Sequence, residues 1–257
     1  GRYQLAELEE ISDPESQLER LVEVALFARH AHVLPELLAL GPYRCQRRLH
    51  PGRRPRGRPV NKELTARRRE EILDEAARVF AERGYPGTDV QVVADALEVS
   101  KGTVYRYFPT KQELFLAAVD RGVRRLREHV DGAAVQADDP LDQIGSAVCA
   151  YLAFVEDNPE LVELLTQERA EFKDRKKPTY FEHRDAHIGQ WQELLRSLIS
   201  QGRVRDVPPE RITDVVGYAL YGAMFTNYFA GPRKSFEHQA KDILDIVFHG
   251  ILTRRSA

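Results

Sequence analysis

The 257-residue chain is 42% hydrophobic and 30% charged with a formal net charge of −2, a composition that suits a globular protein of one large or two small domains. It contains no stretch of about 18 uncharged apolar residues and no apolar secretory-signal core near its first residue, so we expect a cytoplasmic protein that does not contact a membrane. Its two cysteines, Cys45 and Cys149, lie far apart and outside any CxxC pair, which argues against a disulfide framework and against a zinc knuckle.

Residues 1–41 are predicted to form a small helical extension. Ser12 and Glu15 have the spacing of a capping box, and an apolar periodicity typical of a helix begins at Leu18. Pro35 divides this helix from a second, shorter one. The pattern assigns no role to the extension.

Residues 42–60 form a proline- and glycine-rich arm within a strongly basic block. Between residues 44 and 69 the chain carries eleven basic side chains and one acidic side chain. Such a block is typical of segments that bind nucleic acid, although a solvated linker has the same composition. The sequence RPRGRP resembles the AT-hook core, which implies that Arg56 and Arg58 insert into the minor groove of A/T-rich DNA. A linker that touches DNA only loosely is the alternative.

Residues 61–113 carry the signals of three helices. The first shows an apolar stripe at i, i+3, i+4 and i+7 and is expected to end at Gly84. Thr88 is expected to cap the second helix and Ser100 the third, after a tight turn of sequence LEV. Two helices this short need the first one as a support, and the third can then enter a DNA major groove. We therefore predict a helix-turn-helix at about residues 89–108.

A family resemblance is carried by residues 76–120, which read AARVFAERGYPGTDVQVVADALEVSKGTVYRYFPTKQELFLAAVD. They resemble the DNA-binding domain of TetR-type transcriptional regulators. The sequence departs from the family pattern at Asp89, often threonine or serine there, and at Glu98, often glycine, where we expect slight strain in the turn. The matching positions are Phe80, Gly84, Tyr85, Thr88, Val93, Ala94, Val99, Ser100, Gly102, Tyr105, Phe108, Lys111 and Leu114.

The resemblance implies that the third helix, KGTVYRYF, is the recognition helix. Lysine and arginine can bind guanine or phosphate, threonine and valine methyl groups suit the thymine methyl, and tyrosine hydroxyls suit phosphates. Further phosphate contacts are expected at helix starts, where backbone N–H groups are free. Phe108 is expected in the core, and packing is the alternative role for Tyr105. The predicted DNA-binding residues are Arg56, Arg58, Thr88, Gln91, Lys101, Thr103, Val104, Tyr105, Arg106, Tyr107 and Lys111.

Residues 114–257 show helical periodicity without strand-like alternation, so we predict an all-α fold in which a helical ligand-binding and dimerisation domain follows the helix-turn-helix domain. The expected helices span residues 111–129, 140–157, 159–173, 180–201, 209–230 and 235–254. An abundance of aromatic side chains favours a pocket for an apolar or aromatic effector, although each one singly is more often a core residue. The candidate ligand-binding residues are Tyr151, Phe154, Phe172, Tyr180, Trp191, Tyr221 and Phe225.

The last two predicted helices have wide apolar faces with small residues that permit close approach. The resemblance implies that these helices form a four-helix bundle with their twofold mates. The predicted dimer interface comprises Val215, Tyr218, Ala219, Gly222, Ile243, Ile246, Val247 and Ile251.

Motifs of catalysis are missing from the sequence. It contains no nucleophile elbow, P-loop or GxGxxG, and His183 and His187 at i and i+4 would need a third ligand from another helix to hold a metal. We therefore predict that the protein is not an enzyme and uses no metal or cofactor. It is expected to be a homodimeric repressor that binds double-stranded DNA and is released by a small-molecule effector. An architectural DNA-binding protein without small-molecule control is the alternative.

Overall fold

The structure is a computed structural model that describes residues 62–250. Within these residues every regular element is an α-helix, which confirms the predicted all-α class. The predicted helical extension, the basic arm with Arg56 and Arg58, and Ile251 lie outside the described residues. The helices are α1 (Lys62–Arg83), α2 (Val90–Ala96), α3 (Lys101–Tyr107), α4 (Lys111–Ala134), α5 (Pro140–Asp157), α6 (Pro159–Glu171), α7 (Thr179–Ser200), α8 (Pro209–Ala230) and α9 (Phe236–His249).

Proline and glycine set several of the helix boundaries. The helices α5, α6 and α8 begin at Pro140, Pro159 and Pro209, as predicted, because a first-turn position does not need a backbone N–H. By contrast, α9 ends before Gly250, several residues earlier than predicted. Gly250 has a φ of +74°, a left-handed conformation that favours glycine and stops the helix.

The connection between α1 and α2 is built from two caps. Gly84 has a φ of +75°, and its N–H donates to the carbonyl of Phe80 at 2.9 Å, as expected of a glycine just after a helix. The N-cap of α2 is Asp89, whose carboxylate accepts from the N–H of Gln91 at 2.7 Å. The prediction that Thr88 caps α2 is wrong. Its hydroxyl is buried and donates instead to the carbonyl of Gly84 at 2.7 Å.

The turn between α2 and α3 places Glu98 in the left-handed region, with a φ of +54°. A side chain with a Cβ is strained there, which agrees with the strain expected from the absence of glycine. The N–H of Val99 donates to the carbonyl of Ala94 at 2.9 Å and closes the turn. Ser100 then caps α3 as predicted, because its hydroxyl oxygen accepts from the N–H of Thr103 at 3.2 Å.

One hydrophobic core joins the first three helices to those that follow. The rings of Phe80 and Phe115 meet edge to face with centroids 5.1 Å apart, and Tyr85 and Phe172 lie 5.0 Å apart beside them. Burial of a ring such as Phe80 contributes roughly 1.5–3 kcal/mol. The helix α4 packs against α1, α5, α6 and α7, so it belongs to both of the predicted domains.

Candidate DNA interface and effector cavity

One face of the recognition helix α3 is buried and the other is exposed. Val104 has no exposed surface and Phe108 is buried with it, whereas Tyr105 and Arg106 face solvent. Residues four apart lie on the same side of a helix, so Val104 and Phe108 both point to the core. Thr88 is buried as well, with its hydroxyl held inside the turn. The side chains of Val104 and Thr88 therefore point into the protein and are not presented to DNA in this structure.

The exposed face of α3 presents Tyr105 and Arg106 between the half-buried Thr103 and Tyr107. The Arg106 guanidinium carbon lies 5.7 Å from the centre of the Tyr107 ring, a cation–π arrangement that limits the freedom of the arginine. The Thr103 hydroxyl lies 3.0 Å from that of Ser100 and so takes part in the N-cap. The face thus offers a phenol and a guanidinium, groups suited to phosphate oxygens and guanine edges.

Lys101, the first residue of α3, is already paired with an acidic side chain. Its Nζ lies 2.6 Å from Oδ1 of Asp89. The pKa of Asp89 is lowered by the backbone N–H of Gln91 and by Lys101, while the hydrogen bond to Asp89 raises the pKa of Lys101. Both side chains are therefore charged at neutral pH. A DNA phosphate would have to compete with Asp89 for the ammonium group.

Two other predicted DNA-binding residues, Gln91 and Lys111, lie at helix starts and are hydrogen-bonded to other groups of the protein. The amide of Gln91 donates to Oδ1 of Asp95 at 2.6 Å. Nζ of Lys111 donates to the carbonyl of Pro86 at 3.2 Å and lies 4.6 Å from the centre of the Tyr85 ring. These contacts fix both side chains beside α2 and α3, where they could bind a nearby DNA phosphate.

Arg69 belongs to the basic block, but the sequence does not predict what its side chain contacts. In the structure its guanidinium carbon lies 5.0 Å from the centre of the Phe108 ring, at the end of α3. This cation–π contact places a further positive charge beside the recognition helix. Only the tertiary structure brings these two residues together, because they lie 39 positions apart in the sequence.

A cavity of about 210 Å³ lies among α4, α5, α7, α8 and α9. Tyr151, Tyr180 and Trp191, which the sequence proposed as ligand contacts, all line it. The rest of its wall is mostly aliphatic, as is typical of small-molecule sites. The apolar residues of this wall are Val123, Leu126, Val130, Ile144, Ala147, Val148, Ile188, Leu195, Ile212, Val216, Leu220 and Phe248.

Four of the proposed ligand contacts do not line this cavity. Phe172 packs on Tyr85, in the turn after α1, and on Phe115 of α4, and Phe154 faces a separate cleft beside α1. Tyr221 and Phe225 pack on each other at 4.9 Å, beyond Leu220, the last α8 residue in the wall. The sequence identified the aromatic side chains, but not which of them serve as the packing that surrounds the cavity.

Polar side chains occupy part of the cavity wall. Nε2 of His187 contacts the Arg127 guanidinium, and its Nδ1 donates to the carbonyl of His183 at 2.8 Å. Nε2 of His183 lies 2.7 Å from Oδ1 of Asp120, and Arg184 pairs with Asp214. Each histidine is thus engaged by the protein. Within residues 62–250 no group of three or more His, Cys, Asp or Glu side chains is arranged to hold a metal ion.

Two phenols meet at the cavity wall. The hydroxyls of Tyr151 and Tyr180 lie 3.1 Å apart, and that of Tyr151 also donates to the sulfur of Met224 at 3.5 Å. Burial raises the pKa of both tyrosines, so both stay neutral at physiological pH. The pair can act only as hydrogen-bond donors or acceptors toward a ligand.

The helices α8 and α9 expose large apolar side chains. Val215 and Ile246 are each 51% exposed, Tyr218 is 63% exposed and Phe229, which was not proposed as an interface residue, is 67% exposed. Gly222 lies on the same exposed stripe, with open space where a Cβ would stand. The other proposed interface residues that the structure describes, Ala219, Ile243 and Val247, are half-buried. Within residues 62–250 no helix combines the length and the apolar character that crossing a membrane requires.

Residues 72–118 match the sequence model of the family described as bacterial regulatory proteins, tetR family. This part of the chain is therefore a tetR-type domain. The matched residues run from α1 to the first turns of α4 and include the whole of α2 and α3. The tetR-family match therefore ends before Val123, the first residue of the cavity wall.

Relatives of this tetR-family domain include named repressors. The HTH-type transcriptional repressor KstR of Mycobacterium tuberculosis is 27% identical over 151 residues, which cover 59% of this chain and 65% of the relative. KstR of Mycolicibacterium smegmatis is 31% identical over 108 residues, or 42% of this chain and 53% of the relative. The chain thus spans less than two thirds of the length of these curated relatives.

Solved structures of transcriptional regulators, one of them described as a TetR family regulator, share the fold over a longer stretch. PfmR from Thermus thermophilus is 24% identical with a TM-score of 0.58, over 71% of this chain and 99% of that one. FadR from Bacillus subtilis, solved in complex with stearoyl-CoA, is 15% identical with a TM-score of 0.59, over 71% of this chain and 99% of that one. At such identities the likeness is one of fold.

Proposed function

We propose that this protein is a transcriptional repressor that binds operator DNA as a homodimer and releases it when a small molecule occupies the cavity. The observation that carries the proposal is the position of α4. Its first residue, Lys111, contacts the DNA-binding domain, and its middle turns supply Val123 and Leu126 to the cavity wall. One helix of 24 residues, about 36 Å long, therefore connects the two sites.

A twofold dimer binds successive major grooves when its recognition helices lie about 34–36 Å apart, or a multiple of that distance. A ligand that tilts α4 would change this distance and weaken binding. It can do so only if it binds one arrangement of the dimer better than the other. A second connection supports the same route, because Phe172, just after α6, packs on Tyr85 and Phe115.

The proposed DNA contacts are those that remain accessible on and beside α3. Arg106 and Tyr105 would read base edges or phosphates, and Lys101 would exchange Asp89 for a phosphate. The proposed contacts on the described residues are Gln91, Lys101, Thr103, Tyr105, Arg106, Tyr107 and Lys111.

Homodimerisation would cover the apolar stripe of α8. Without a partner, Val215, Tyr218 and Phe229 would each leave more than half of their surface in water. A twofold contact of α8 and α9 with their mates buries the same patch from both subunits. Gly222 would let the two α8 helices approach closely.

The basic arm is proposed to follow the minor groove beside the operator half-site. Replacing Arg56 and Arg58 with alanine in the full chain should weaken binding and flatten the salt dependence of the association constant, since fewer counterions are released. If the salt dependence of the association constant is unchanged, the arm is only a linker.

The named relatives support this function. The KstR proteins are described as transcriptional repressors, and FadR of Bacillus subtilis was solved with stearoyl-CoA. By analogy, this chain would act in the cytoplasm, where bacterial DNA lies, and its DNA binding would be regulated by a metabolite.

The decisive experiment is operator binding with a matched pair of variants. Genomic DNA fragments retained by the full-length protein would be sequenced, and the common site used in fluorescence anisotropy. Arg106→Ala should lose about 1–3 kcal/mol of binding, whereas Arg196→Ala on α7 should change little. Equal affinity of the Arg106 variant and the unmodified protein would contradict the interface. If no small molecule alters operator affinity, the architectural alternative is favoured instead.

A further inference from the structure

Three buried polar atoms of the cavity-lining residues have no hydrogen-bond partner within residues 62–250. They are Nε of Arg127, Nε of Arg184 and Nδ1 of His183. Only one other buried side-chain atom in these residues shares this condition, the Oε1 of Gln167. Buried polar atoms in folded proteins are nearly always hydrogen-bonded, so their concentration at one cavity indicates a ligand that accepts hydrogen bonds.

The three groups belong to two neighbouring helices, α4 and α7. Arg127 of α4 contacts His187 of α7, whose ring stacks on that of His183 at 6.2 Å, and Arg184 is the next residue along α7. The arginine Nε atoms can only donate.

The carboxylates near these groups leave the three atoms available. Asp214 pairs with a terminal nitrogen of Arg184, and the nearest carboxylate of Arg127 is Glu128, at 3.9 Å from Nη2. Asp131 also lines the cavity, where its Oδ1 accepts from the amide of Gln190 at 2.9 Å. The Nε–H groups of Arg127 and Arg184 therefore remain unpartnered donors on residues of the cavity wall.

We propose that the effector is an amphipathic carboxylate. Its carboxylate accepts hydrogen bonds from Nε of Arg127 and Nε of Arg184, and its apolar body fills the space toward Trp191. A carboxylate suits these donors because it offers two acceptor oxygens and one negative charge. This assignment deepens the proposed effector control and rests on it only for the effect on DNA, since binding of the carboxylate is measured separately.

The size of the cavity sets the size of the ligand. A cavity of about 150 Å³ accommodates benzene. The volume here, about 210 Å³, suits an apolar body somewhat larger than one ring. Suitable probes are 4-phenylbutyrate and decanoate, each compared with the alcohol of the same carbon skeleton.

The test uses the full-length protein and the fluorescence of Trp191, the single tryptophan in the chain, with calorimetry as a second readout. Each carboxylate should bind about tenfold more tightly than its alcohol. Arg184→Met and Arg127→Met should each weaken the carboxylate about tenfold and leave the alcohol nearly unchanged. Arg196→Met, a control on α7 outside the cavity wall, should change neither.

Two sets of results would overturn the assignment. The first is equal binding of carboxylate and alcohol, or equal losses for both in the arginine variants. The second is the absence of binding for every straight-chain carboxylate from hexanoate to tetradecanoate and for the phenylalkanoates. Operator affinity is measured in parallel. A carboxylate that binds through the arginines without releasing DNA would support this site and contradict the proposed control. Release of DNA by neutral ligands alone would support the proposed control and contradict the carboxylate site.

Discussion

The side-chain amide of Gln167 donates a hydrogen bond of 2.9 Å to the carbonyl oxygen of Phe80, and so connects α6 with the end of α1. The same carbonyl accepts the N–H of Gly84, which ends α1. Gln167 is buried, and its amide also donates to Glu163 at 2.8 Å. A movement of α6 would therefore reach the base of the helix-turn-helix directly.

Replacing Gln167 with methionine should weaken this connection without changing the DNA-binding surface. Loss of the buried hydrogen bond is expected to lower the free energy of unfolding by about 0.5–1.5 kcal/mol. Operator affinity without ligand should stay the same, while the decrease in affinity caused by an effector should become smaller. Denaturant unfolding and operator anisotropy measure the two effects.

A matched control is Gln143→Met, since the Gln143 amide also donates to a backbone carbonyl, that of Ala137, at 2.9 Å. It should lower stability by a similar amount and leave the response to the effector intact. The same loss of response in both variants would mean that the connection through Gln167 has no special part in coupling.

The two neighbouring residues Val104 and Tyr105 should behave in opposite ways. Val104→Ala removes two buried methyl groups and should lower the free energy of unfolding by about 1–3 kcal/mol. Tyr105→Ala should lower the free energy of unfolding less than Val104→Ala, because Tyr105 is 37% exposed, but should weaken operator binding. Thermal unfolding and anisotropy separate the effects. A stable Val104 variant with poor DNA binding would restore Val104 as a contact.

Tyr218→Lys is expected to break the proposed dimer. A charge in the centre of an apolar twofold interface meets its own copy, and both charges lose solvent. Sedimentation should then show monomers, and operator affinity should fall by at least about tenfold because the two half-sites are no longer bound together. Arg211→Glu, an exposed change on the same helix, is the control. A dimer that survives Tyr218→Lys would place the interface elsewhere.

Asp89→Asn should strengthen operator binding. Asparagine can still cap α2, but it removes the charge that holds Lys101 and repels phosphate. One additional free cation should also steepen the salt dependence of binding. Asp138→Asn, in the turn before α5, controls for the change in net charge. Weaker binding by Asp89→Asn would mean that the Asp89–Lys101 pair orients the lysine for DNA.

The same pair has a consequence for pH dependence. The pKa of Asp89 is lowered chiefly by the N–H of Gln91 and then by Lys101. A lowered carboxyl pKa stabilises the fold above the ordinary aspartate pKa, and the contribution disappears as the pH falls through the lowered value. The unmodified protein should thus be more stable than Asp89→Asn at pH 7, and this difference should shrink in acid, as denaturation at pH 7 and at pH 3 would show.

Much of the DNA-binding half could be predicted from the sequence because its signals are local. Gly84 and Ser100 act within one helical turn of their own positions, and prolines mark the starts of α5, α6 and α8. The error at Thr88 and Asp89 has the same origin. Both residue types cap helices, and only the backbone of the turn decides which of two adjacent candidates takes the position.

The position and the lining of the cavity depend on the tertiary structure and could not be predicted from the sequence. Periodicity shows that a helix has an apolar face, but whether that face meets a neighbour or a space depends on how distant helices pack. Phe172 was therefore indistinguishable in the sequence from Trp191, although one joins the DNA-binding core and the other lines the cavity. Arg127 and Arg184 were missed because a charged residue in a helix normally faces water, and only the packing of α4 against α7 turns both toward the same space.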